Sequence, residues 1–185
     1  MVLDPGHGGR DPGTLANGVR EADVNLAVCR AAEEWLLDQN FRVLMTRASD
    51  VYVARRDRAR LANRELAECF VSVHVNASIW SRGKAHGTQC YVFSKGGKTE
   101  RLARLCTKLM FDQLGSAPWG GDDGVFLSKT LGVLLLTKPP AVLIEIGFAT
   151  NADESRNLVD PAWQKRCGEA LGEAVVRWFR PEVAG

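Results

Sequence analysis

A glutamate lies inside an apolar run at 142–148 (V-L-I-E-I-G-F), with Ile144 before it and Ile146 after it. A carboxylate buried alone is costly, so Glu145 needs a cation, a metal or a proton to be tolerated there. Two other segments carry groups able to do chemistry. D-P-G-H-G-G (4–9) sets His7 among glycines, which let the backbone turn tightly and let a bulky ligand approach. S-V-H-V-N (72–76) puts His74 at period two with Ser72 and Asn76, on the face opposite Val71, Val73 and Val75. Two imidazoles need one more protein ligand to make a catalytic zinc site, in which three His or carboxylate ligands leave one position for water. Glu21, at the start of the first long helix, is the best candidate. Asp23 is an alternative at almost the same place, and an acid there also complements the helix dipole. The chain has three histidines. The third, His86, precedes Gly87 in a polar segment and reads as a loop residue.

The elements that must hold these groups alternate in period. Residues 1–3 read as a strand entering the turn at Asp4-Pro5-Gly6. Residues 21–39 carry Val24, Ala27, Val28, Ala31 and Trp35 at helical spacing. Strands are predicted at 41–45, 69–75, 88–93, 131–136 and 141–146. Residues 56–68 predict a charged helix with a thin stripe of Ala59, Ala62 and Leu66, and residues 99–114 a second helix. The glycine-rich segment 115–124 reads as a loop. Asp160-Pro161 opens a last helix with Trp163, Cys167, Leu171, Ala174, Val175 and Trp178 as its stripe. Strands alternating with helices give an α/β fold with a mainly parallel sheet covered on both faces, where ligands bind beyond the carboxyl ends of the strands.

Composition bounds the rest. At 185 residues with no linker or repeat, one domain over 1–185 is expected. A net charge of +2 is too weak to argue for nucleic acid. No apolar run approaches the roughly 20 residues of a membrane span. Met1 is followed by Val-Leu-Asp with no basic or apolar leader, so no signal peptide is expected. Five cysteines without a C-x-x-C pair read as small core residues rather than a disulfide framework or a zinc knuckle. Gly97-Lys98-Thr99 fails as a P-loop because Val92 stands where the first glycine belongs, and neither H-E-x-x-H nor G-x-S-x-G occurs.

L-D-P-G-H-G-G-R-D-P-G (3–13), R-E-A-D-V-N-L-A (20–27), T-R-A-S-D (46–50), R-A-R-L-A-N (58–63), F-V-S-V-H-V-N-A (70–77) and P-A-V-L-I-E-I-G-F-A-T-N (140–151) together resemble the zinc-dependent N-acetylmuramoyl-L-alanine amidases of the type 3 family. The resemblance covers nearly the whole chain. It implies a six-stranded sheet with helices on both sides, and one zinc ion on His7, Glu21 and His74, which selects Glu21 over Asp23. It also implies Glu145 as the catalytic glutamate. Asp4 and Asn76 are expected, from the mechanism, as partners that orient the histidine rings. The implied substrate is peptidoglycan, cut at the amide between the lactyl group of N-acetylmuramic acid and L-alanine. A monomer working outside the cytoplasm, in the periplasm or cell wall or released by phage lysis, is expected. Competing expectations are a zinc hydrolase of another amide and a non-catalytic wall-binding or amidase-regulating module. The module would be expected to lose one of the four residues, and all are present. The sequence departs from the family in two places. Only three residues precede Asp4, and Arg55 stands where an apolar residue is usual, three before Arg58. Between Ser94 and Pro140 there is little room for the inserted helix that blocks the zinc in some cell-division members, so an open site is expected.

Overall fold

The computed structural model describes residues 1–81, 83–121 and 123–181. Its sheet has six strands in the spatial order Leu44–Met45 (β4), Val2–Pro5 (β1), Phe70–Asn76 (β5), Ala141–Phe148 (β8), Gln89–Val92 (β6) and Val125–Leu127 (β7). Neighbours run parallel except β6 against β8. A small antiparallel hairpin, Leu15–Ala16 (β2) with Val19–Arg20 (β3), leads into the helix Glu21–Asp38 (α1).

Side chains alternate along each strand, so the sheet sorts its residues into two unequal cores. Val71, Val73, Val75, Ile144 and Ile146 join the larger one, beneath α1, Gly97–Leu114 (α3) and Pro161–Phe179 (α6). Val2, Phe70, Ala141 and Leu143 join the smaller one, beneath Arg55–Arg64 (α2) and Gly132–Leu136 (α4). The covering helices on the large side have 18, 18 and 19 residues, and those on the small side 10 and 5. The short cover leaves the carboxyl ends of the central strands open on that face. Asp4, Ser72, His74 and Glu145 share their strand parity with the smaller core and so point to the open side.

The last helix forms as its pattern dictates. The Asp160 side chain accepts from the Ala162 N–H, Pro161 occupies the first turn, and all six stripe residues are buried. It crosses α1 at Gly168, where a Cβ would stand 2.5 Å from both the Val28 carbonyl oxygen and the Ala31 Cβ. Gly168→Ala should therefore cost roughly 1–3 kcal/mol through forced separation of the two helices. Urea unfolding measures it, and a loss under about 0.5 kcal/mol would show the crossing to be loose.

Four local expectations differ from the structure. Residues 131–136 are not a strand: a short apolar run has no decisive period, and here a helical turn buries Val133 and Leu134 and exposes Leu135 and Leu136. The sixth strand is β7 instead. Strand β4 is confined to Leu44–Met45 at the sheet edge. Helix α2 ends at Arg64, and Leu66 takes a left-handed φ of 48° while the Ala67 N–H reaches back to the Ala62 carbonyl. This is a Schellman-type stop with leucine where glycine is usual. It turns Leu66 outward, 86% exposed, rather than into the stripe. Residues 152–158, given no element by the sequence, form a short helix, Ala152–Leu158 (α5), capped by Asn151. All five cysteines are buried and unpaired, and burial pushes the Cys69 and Cys106 thiols up to about 12.

Candidate active site

One loop, two strands and one helix start meet at the open end of the sheet: His7 follows β1, His74 lies in β5, Glu145 in β8, and Glu21 opens α1. The carbonyls of Thr14 and Pro12 accept the first free N–H groups of α1, from Glu21 and Ala22 at 3.0 and 3.1 Å. This fixes Glu21 at the mouth of β5. Its Oε2 accepts from the Thr14 N–H at 2.7 Å, and its Oε1 accepts from the Val75 N–H at 3.0 Å. The same Oε1 lies 3.2 Å from His7 Nε2 and 3.0 Å from His74 Nδ1. The two rings stand edge to face, 5.0 Å apart at 80°. One ligand atom from each of the three residues lies within 4.8 Å of the others, so the group could hold a metal ion. The second candidate, Asp23, is outside: it faces solvent and pairs with Arg20.

Electrostatics within the trio are strongly coupled. Burial would raise the Glu21 pKa, but the hydrogen bonds and charge of His7 and His74 outweigh it and hold the carboxyl far below its usual range. Burial would lower the His7 pKa, and Glu21 with Asp11 outweighs it and raises it. Asp11 Oδ1 sits 2.9 Å from His7 Nδ1, off the line of an aligned hydrogen bond.

Glu145 is paired in register with His74 across β5 and β8. Its Oε2 is buried and has no hydrogen-bond partner among the described residues. Burial pushes its carboxyl up to about 7, with Glu21 adding to the rise and the two histidines opposing it. The cleft in front has a volume of about 400 Å³ and is walled by Tyr52, Val53 and Arg55 on one side and Thr130 and Leu131 on the other.

Asp4 and Asn76, expected to orient the imidazoles, touch neither ring. Asp4 is 1% exposed and accepts from Thr46 Oγ1, from Arg58 Nη1 at 2.8 Å and from Ser72 Oγ at 2.7 Å. It acts on the His7 loop through Arg58, whose other N–H groups donate to the carbonyls of Pro5, His7 and Val53. Asn76 bonds away from the imidazoles: its Nδ2 donates to Gln89 Oε1 at 2.8 Å. A strand parity places both residues correctly by face, but their partners come from other elements.

Arg47 and Asn25 were not singled out from the sequence. Arg47 is 3% exposed and has no carboxylate partner among the described residues; it donates to the carbonyls of Pro5, Gly6, Ala22 and Ser49. Asn25 donates to the Gly6 carbonyl and to Glu21 Oε1. The loop is therefore held by side chains acting on its backbone. This lets His7 keep a φ of 60°, which ordinary residues avoid. The only signal for Arg47 was its place in T-R-A-S-D. Gly6 is required by contact: a Cβ there would lie 2.4 Å from His74 Cε1. His86 stands apart, its ring tilted at 57° to that of Trp119 with centroids 4.6 Å apart.

Comparison with known proteins identifies the family. The sequence profile of the N-acetylmuramoyl-L-alanine amidase family matches residues 1–177. The germination-specific N-acetylmuramoyl-L-alanine amidase of Bacillus subtilis is 30% identical over 97% of this chain and 79% of its own. An endolysin of Bacillus phage SPP1 is 34% identical over 94% of this chain and 63% of its own. The crystal structure of an N-acetylmuramoyl-L-alanine amidase from Clostridium difficile 630 superposes with a TM-score of 0.89 at 28% identity, covering 98% of this chain and 96% of that one. The chain belongs to the N-acetylmuramoyl-L-alanine amidase family and is a peptidoglycan amidase.

Proposed function

We propose that this chain hydrolyses the amide between N-acetylmuramic acid and L-alanine with one zinc ion held by His7, Glu21 and His74, and with Glu145 as general base. One observation carries the reading: a two-histidine, one-carboxylate donor set converges beside a buried carboxylate oxygen that has no partner. The donors fit zinc, because two imidazoles and a carboxylate make a common catalytic set. When bound, zinc supplies Lewis acidity toward the amide carbonyl and makes water a nucleophile near neutral pH.

The residues of the chain do the rest. Glu21 stays ionised through its two histidine neighbours and its backbone N–H donors. Arg47, Arg58 and Asn25 hold the 5–7 backbone so that His7 Nε2 keeps its aim without a ligand present. Glu145 Oε2 takes a proton from the attacking water and passes it to the leaving amine of L-alanine. A carboxyl whose protonated and ionised forms are both accessible near pH 7 suits both transfers. In this reading the enzyme works at the cell wall, where its polymeric substrate lies, as a single domain and a monomer.

The test is a paired measurement. Purified protein should carry one zinc per chain and release peptides with a free L-alanine amino terminus from intact glycan. Chelation should abolish release and lower the melting temperature. A thousandfold excess of zinc over its Kd adds about 4 kcal/mol to a folded-state binder. For a chain of this size that is roughly 8–16 °C. Full hydrolysis after complete chelation, or a melting temperature indifferent to zinc, would overturn the metal assignment.

A further inference from the structure

Helix α2 carries Arg55, Arg56, Arg58, Arg60 and Arg64. Arg58 is consumed inside the fold by Asp4 and three carbonyls. Arg55, one turn earlier, lines the cleft and is exposed. A Cβ on Gly132 would stand 3.9 Å from Arg55 Cδ and Nη1, so this side chain reaches from α2 toward the start of α4, across the opening. Among the described residues its guanidinium has no acidic partner. Asp57 pairs with Arg60, Asp50 with Arg20, Asp11 with His7 and Asp4 with Arg58, and Glu145 of the same cleft makes no ion pair with Arg55. Two more cations have no acidic partner among the described residues. Arg10 lies over the Tyr52 ring at 4.1 Å, and Lys129 over the Phe93 ring at 4.0 Å. The cleft thus carries an exposed arginine with no acidic partner among the described residues, whereas the buried Arg58 beside it is consumed by Asp4.

We propose that Arg55 binds a free carboxylate on the peptide arm of the substrate and makes the enzyme prefer stem peptides bearing that carboxylate over those in which it is a carboxamide. The inference rests on the amidase reading, which sets a peptide leaving group in this cleft. A guanidinium presents a planar fork of N–H donors that a carboxylate accepts through two oxygens. A carboxamide of the same shape offers one oxygen and turns an NH2 donor against the other arm of the fork. The discrimination is a difference between two nearly isosteric groups, so it reports charge and donor match rather than size.

The experiment compares N-acetylmuramoyl-L-alanyl-D-isoglutamic acid with its carboxamide, N-acetylmuramoyl-L-alanyl-D-isoglutamine, on zinc-loaded wild-type, Arg55→Gln and Arg55→Lys protein. Wild type should favour the acid roughly tenfold to a hundredfold in kcat/KM, the range of one charge-assisted hydrogen-bond pair. The effect should lie in KM, with kcat nearly unchanged. Arg55→Gln should abolish the preference, and Arg55→Lys should keep part of it. Equal rates for both substrates in wild type, or a preference that survives Arg55→Gln, would overturn the assignment while leaving the amidase reading intact. The same two compounds are titrated by calorimetry into Glu145→Gln protein with and without Arg55→Gln. If neither compound is cleaved, an acid preference in binding that Arg55→Gln removes supports Arg55 even as the reaction fails, and equal binding overturns it.

Discussion

Glu145→Gln should lower hydrolysis by about 10³-fold with zinc content unchanged, because it removes a proton carrier and leaves the three donors alone. The same variant should be more stable at pH 8. In the metal-free protein the Glu145 carboxyl is raised to about 7, above the ordinary carboxylate range. Between pH 4.5 and 7 the folded state therefore holds a proton that the unfolded state has released, and stability falls as pH rises through that window. Glutamine removes this slope, by an amount of roughly 3 kcal/mol at full effect. Rate and stability thus move in opposite directions from one atom exchange. In wild type the rate should fall on the acid side as Glu145 protonates, and a dication among His7, Glu21 and His74 should shift that limb to lower pH. Chemical denaturation of both proteins at pH 5 and pH 8, beside zinc analysis and turnover, measures every part. Turnover kept within a few-fold in Glu145→Gln would remove the residue from the reaction.

Asp4→Ala should be among the most destabilising single changes in the chain, costing about 3–5 kcal/mol. It strips the carboxylate from a buried guanidinium and leaves the hydroxyls of Thr46 and Ser72 without their acceptor. Removing the arginine as well relieves the unpaired charge, so Asp4→Ala with Arg58→Met should cost much less than the two single changes summed. Because Arg58 also donates to the His7 carbonyl, the double variant should recover stability more fully than zinc affinity. A loss below about 1 kcal/mol for Asp4→Ala would mean that water replaces the carboxylate at no cost.

The polar interruptions of the strands were legible from the chain alone, because a carboxylate between isoleucines and a histidine between valines are anomalies that pattern exposes. Their common face followed from period two. What was not legible is partner choice. Five arginines occur in α2, and nothing in their spacing separates the buried Arg58 from the free Arg55. Asp4 and Asn76 were placed on the right face, yet their bonds run to Thr46, Arg58, Ser72 and Gln89, all brought in by other segments. The segment 131–136 is not legible because four apolar residues in a row satisfy a buried strand and a buried helical turn equally, and only the space beside α2 decides between them.

The five interior thiols turn the molecule into its own clock. None can meet a reagent in the folded state, and burial keeps each one protonated and slow to react. They sit on β5, β6, α1, α3 and α6 or at their ends, so a thiol probe added to native protein reports when each of those layers opens. Labelling all five at one rate would mark a single cooperative opening, and staggered rates would give the order in which the layers part.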